Sequence, residues 1–201
     1  MQTLMNTKLK MVSGGLALFL AAATVPAIAD DVTDSIDEAS EAYKSGDVAT
    51  AVESLNYAVQ LLQQMKGDSL AKLLPEPLDG WEAKEAEATA VGAAMFGGGL
   101  TAERSYTKDK SRMKIQVVTD SPVLQGMLAM FTNPMFAASS GGKMTKINKQ
   151  KAIVKMDKSG TGGEIQMVVK NRYMVTLDGS RVTKDELIEY AEAIDFSKFE
   201  D

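Results

Sequence analysis

The feature that most constrains this chain is a change of hydrophobic period at Trp81. Before it, apolar residues recur at helical spacing; after it they alternate with a period of two. Alternating segments lie at 81–90, 101–107, 112–119, 144–148, 151–157, 163–170 and 172–178. Lys108-Asp109-Lys110, Asn148-Lys149 and the run 159–163 (SGTGG) supply turns between them. Strands joined by so few residues pair antiparallel, because parallel neighbours need a long crossover. Two helices interrupt the strands. One lies within 122–138, after Ser121-Pro122. The other spans 183–194, where Thr183 and Glu186 have capping-box spacing and Leu187, Ile188, Ala191 and Ile194 form an apolar face.

Upstream, 31–66 reads as helix: rich in Ala, Glu, Asp, Leu and Gln, with one Gly and no Pro. Ile36, Ala39 and Tyr43 mark one helix; Val48, Ala51, Val52, Leu55, Tyr57, Ala58 and Leu62 mark a second. Gly46 suits the left-handed position after the first, and Asp47 can cap the second. In 67–80, Leu70, Leu73 and Leu74 suggest one short amphipathic turn, Pro75 and Pro77 force extended backbone, and Asp79-Gly80 turns the chain. The expected fold is therefore α+β: an N-terminal helical hairpin at 30–69, then at 70–201 an antiparallel sheet of about six to seven strands covered by two helices.

Two resemblances accompany this reading. Ala39, Ala42-Tyr43, Gly46-Asp47, Ala51, Leu55 and Ala58 look like the packing positions of a single tetratricopeptide-type repeat. The order of meander, helix, second meander and closing helix resembles the Mog1/PsbP-like α/β/α sandwich over about 70–196, with Leu74-Pro75 and Gly80-Trp81 leading into the sheet. That resemblance implies a binding or assembly role more than catalysis.

The first 29 residues have the layout of a secretory signal. Lys8 and Lys10 precede an apolar run at 16–23, Pro26 breaks it, and Ala27-Ile28-Ala29 provides small residues before Asp30-Asp31. Cleavage after Ala29 leaves a periplasmic or secreted chain with no membrane span. The leader holds two of the 22 basic residues and none of the 27 acidic ones, so the mature net charge is −7. That disfavours nucleic acid and anionic lipid as main partners.

The chain has neither His nor Cys. Zinc sites of the usual type, Cys nucleophiles and Ser-His-Asp triads are excluded. Carboxylate pairs such as Glu85/Glu87 and Glu186/Glu189 sit on polar faces, and no cofactor is implied. The expectation is a non-catalytic protein. Two uncharged apolar segments attract attention instead. The first, 91–100 (VGAAMFGGGL), places Met95 and Phe96 beside an adaptable glycine run. The second, 123–138 (VLQGMLAMFTNPMFAA), carries Met127, Met130, Phe131, Met135 and Phe136, the last two beyond the Asn133-Pro134 break. Together they offer a Met/Phe-rich surface for an envelope protein or an apolar ligand; the alternative is that they cover the sheet. Met127-x-x-Met130 also offers thioethers to copper(I), the second reading of function. Carboxylate-based hydrolysis is the third.

Overall fold

The computed structural model describes residues 27–90, 99–121, 124, 126, 131, 135 and 141–199. Helix α1 (Ala27–Ser45) and helix α2 (Val48–Ala71) form the hairpin. Gly46, at φ 86, takes the left-handed turn between them. Asp47 caps α2: its carboxylate accepts from the Thr50 amide at 3.1 Å and from the Thr50 hydroxyl at 2.8 Å.

The chain does not leave the helix at Gly67. Helix α2 runs on to Ala71, and Gly67 is buried where α2 crosses the sheet. A Cβ there would stand 3.1 Å from the Ala88 Cβ. Its missing side chain permits close helix–strand approach, and this reverses the expectation of a join beginning at 67. Leu70 and Leu74 consequently belong to the core of the sheet domain.

The sheet is antiparallel throughout. Its strands are β1 (Glu82–Ala83), β2 (Glu87–Ala90), β3 (Leu100–Lys108), β4 (Ser111–Thr119), β5 (Lys143–Ile147), β6 (Gln150–Met156), β7 (Gly162–Val169) and β8 (Tyr173–Ser180). Their order is β1-β3-β4-β8-β7-β6-β5, with β2 also on β3. The segment 81–90, expected as one strand, is divided. Ala83 pairs Tyr106 and Glu87 pairs Glu103, four steps on one strand against three on the other. That extra residue is a β-bulge, which bends the edge strand around the domain. Two of the hairpin turns have consecutive residues at positive φ, Asn148-Lys149 and Lys170-Asn171, matching the twist of the strands they join.

Helix α3 (Lys184–Glu192) closes the domain with the expected capping box. Leu187, Tyr190, Ala191 and Ile194 are buried on the sheet. Ile188 is only partly buried, contrary to expectation, and Tyr190 takes its place at the centre of the face. The core joins these residues to Ile115, Val117, Ile165, Met167, Val175 and Leu177 from the strands, and to Trp81. Trp81 and Tyr106 both pack on the Tyr190 ring, at 5.2 and 4.8 Å between centroids. The Tyr106 hydroxyl donates to the Pro75 carbonyl at 2.7 Å, fixing the extended 75–78 segment.

Contact between α3 and β8 is close enough to make Gly179 obligatory. A Cβ at this position would run into Val182 Cγ2 and stand 3.0 Å from Leu187 Cδ2. Gly179→Ala is expected to destabilise the protein by about 1–3 kcal/mol in chemical unfolding. An unchanged midpoint would mean that α3 does not seat against β8.

Strands β4 and β5, consecutive in the chain, are separated in the sheet by β8, β7 and β6. Leu124 and Phe131, from the connection between them, form a second cluster with Ile153, Val168 and Met174. These strand residues point away from the α3 face. No helix among the described residues is long and apolar enough to cross a membrane.

Candidate functional site

Helices α1 and α2 meet through small side chains. Val32, Ser35 and Ala39 pack against Ala51, Ser54, Ala58 and Leu61, all at 9% exposure or less. Small residues bring the helices together but leave the larger apolar ones outside the seam. Val48, Val52, Leu55, Val59 and Leu62 remain between 44% and 61% exposed. Their spacing is 4-3-4-3, the heptad repeat of a helix–helix packing face, with Val52 and Val59 at a and Leu55 and Leu62 at d. Helix α2 therefore carries two apolar stripes, one consumed by α1 and one left open.

The hydrogen bond from Ser54 Oγ to Glu38 Oε2, at 3.0 Å, marks one side of the hairpin as polar. At about 100° per residue, the open stripe lies on the other side of α2. Ile36 and Tyr43 of α1, 46% and 72% exposed, fall on that same side. Asp30, Asp31, Asp34, Asp37, Glu38 and Glu41 are all directed elsewhere around α1 by the same spacing. The result is one continuous uncharged face, two helices wide and about 20 Å long at 1.5 Å per residue. Tyr57, also exposed, lies on the polar side and is not part of it.

A charged cluster anchors the base of this face. Lys66 Nζ stands 2.7 Å from Asp120 Oδ2, and Arg172 reaches Asp120 Oδ1 at 3.3 Å. They border a cleft of about 140 Å³ between α2 and the sheet. The Lys66 hydrogen bond, more than the nearby Arg172 charge, holds the Asp120 carboxyl below its ordinary value. Glu186 is lowered likewise, first by its hydrogen bond from Lys108 Nζ at 2.7 Å and then by the Thr183 amide. A carboxyl lowered in the folded state stabilises fully above its unfolded pKa and loses that contribution as pH falls through the folded value. Stability should therefore drop below about pH 4. Lys66→Met should flatten this acid limb in a series of melting curves; a limb identical to wild type would detach Asp120 from it.

The sequence-derived residues divide as follows. Phe131 is buried under the second sheet face, whereas Met135 is 78% exposed. Met95, Phe96, Met127, Met130 and Phe136 lie outside the described residues, as does most of the helix expected within 122–138. Within that segment, Leu124, Gly126 and Met135 are helical and Phe131 sits in a turn. Leu124 and Phe131 pack on Ile153, Val168 and Met174 of the sheet. Among the described residues no Asp or Glu is buried. No group of three His, Cys, Asp or Glu among them could hold a metal ion. Every buried side-chain nitrogen or oxygen among them has a partner.

The open stripe escaped sequence reading because Val48, Ala51, Val52, Leu55, Ala58 and Leu62 satisfy helical spacing as one set. The distinguishing signal is size: Ala at the closed seam, Val and Leu in strict heptad spacing on the open one. Comparison with protein-family models, with curated proteins and with solved structures gives no match.

Proposed function

We propose that this is an exported, non-catalytic binding protein that docks an apolar helical surface of an envelope protein on the open face of its hairpin. The observation that carries the reading is the exposed heptad stripe at 48–62, on a helix whose other stripe is already packed. Exposed apolar patches rimmed by polar residues mark interaction surfaces. Helix-in-groove recognition uses anchors at this spacing. The sheet domain acts as the mount: the Lys66–Asp120–Arg172 cluster and the Gly67 crossing hold α2 rigid at its base. The tetratricopeptide-like positions and the sandwich-like strand order fit a binding role. Export rests on the leader layout, and trimming at Ala29 leaves Val32, the first described buried side chain, in place.

A photo-crosslinking residue at Val59 in living cells tests the reading, with Gln60 on the polar side as control. Adduct formation from Val59 and none from Gln60 is expected, on a protein whose N-terminus reads Asp30. Equal yields from both positions, or none, would remove the hairpin face as the docking surface.

A further inference from the structure

Resting on that docking reading, we infer that the occupant of the hairpin face is a second copy of this chain, two hairpins packing antiparallel into a four-helix bundle. Charge is the first argument. The whole chain carries a net charge of −5, yet the face is uncharged from Val48 to Leu62. Positions beside the stripe are Asn56 and Gln63 on one flank and the buried Ala51 and Ala58 on the other. The next heptad position is Lys66, and its charge is paired with Asp120 at 2.7 Å. Two copies can meet here without bringing like charges together. A basic helix would find no carboxylate on the face, and an anionic lipid surface would find no open row of Lys or Arg.

Geometry is the second argument. Beyond Leu62 the same side of α2 runs into the sheet domain, where Leu70 is buried in the main core. A parallel partner helix would therefore bring both sheet domains to one end and collide. An antiparallel partner carries its sheet domain at the opposite end and places its hairpin turn against this one. Antiparallel heptad packing sets a positions against d positions. Val52 of one copy then lies beside Leu55 of the other, twice over by the two-fold axis, with Val48 beside Val59 in the next layers. Ile36 and Tyr43 of both copies close the sides of the bundle.

The chain has no Cys, so introduced thiols report without background. The purified protein should sediment as a dimer. Val59→Glu should raise the dissociation constant by at least about tenfold while the melting temperature of the diluted monomer holds; Val59→Lys should do the same. The pair Val52→Cys with Leu55→Cys should oxidise to a disulfide-linked dimer, and Tyr57→Cys with Gln60→Cys on the polar side should not. A monomer that still forms a photo-adduct from Val59 with a different protein overturns the inference and leaves the docking reading intact. A monomer with no adduct overturns both.

Discussion

Tyr190→Ala is expected to destabilise the protein by about 3–5 kcal/mol, enough to consume much of a typical domain's stability of about 5–15 kcal/mol. Tyr190 has no exposed surface, and two aromatic rings rest on it. Truncation leaves a cavity bounded by Trp81 and Tyr106, which are held by the backbone of β3 and of the segment after α2 and cannot collapse into it. The hydroxyl accepts the Leu78 amide at 3.3 Å, so Tyr190→Phe isolates a smaller loss, that of one hydrogen bond. Urea unfolding with an unchanged slope should rank wild type above Phe and Phe well above Ala. A loss below about 1 kcal/mol for the Ala variant would show that this aromatic cluster is not the join between α3 and the sheet.

The double variant Leu55→Glu with Val59→Glu is expected to abolish docking with little change in the thermal stability of the monomer. Both side chains are about half exposed at 49%, so the carboxylates stay in water and no buried charge is created. A paired interface of this kind loses its central apolar anchors, each of which typically contributes 2 kcal/mol or more when it is a hot spot. Ala58→Glu supplies the contrast one helical step away. Ala58 is 2% exposed in the closed seam, where a charge has no partner, so this variant should unfold the hairpin. Differential scanning calorimetry alongside the Val59 photo-adduct separates the two behaviours. Loss of folding in the double Glu variant would place the open stripe in the core.

Elements specified by local chemistry were legible in the sequence. Gly46 and Asp47 set the hairpin turn and cap through positive φ and an Asx hydrogen bond, and Thr183 and Glu186 form their box, because each depends on residues within one turn. The α+β class followed from the change of period at Trp81, with short turns enforcing antiparallel pairing. Features that depend on distant partners were not legible. Gly67 read as a helix end because its reason, the approach of Ala88, lies 21 positions away. Tyr190 stood outside the apolar face read at Leu187, Ile188, Ala191 and Ile194, because the rings that bury it, Trp81 and Tyr106, lie far along the chain. The bulge between β1 and β2 is a register difference, and no single strand encodes one. For the candidate site, composition drew attention to Met and Phe in 123–138, most of which lie outside the described residues; of those described, Phe131 packs with Ile153, Val168 and Met174, and Met135 is exposed. The open stripe was present in the sequence as heptad spacing, hidden because α1 uses the neighbouring stripe of the same helix.

The most direct test of the docking face is thiol accessibility at a single introduced cysteine. In Leu55→Cys, the purified protein diluted to a monomer should react with a maleimide as fast as a surface thiol, and the same residue in the intact envelope should be protected, while Gln60→Cys reacts fast in both. Equally fast labelling of Leu55→Cys in both settings would contradict the account, since a face that stays open where the protein works docks nothing.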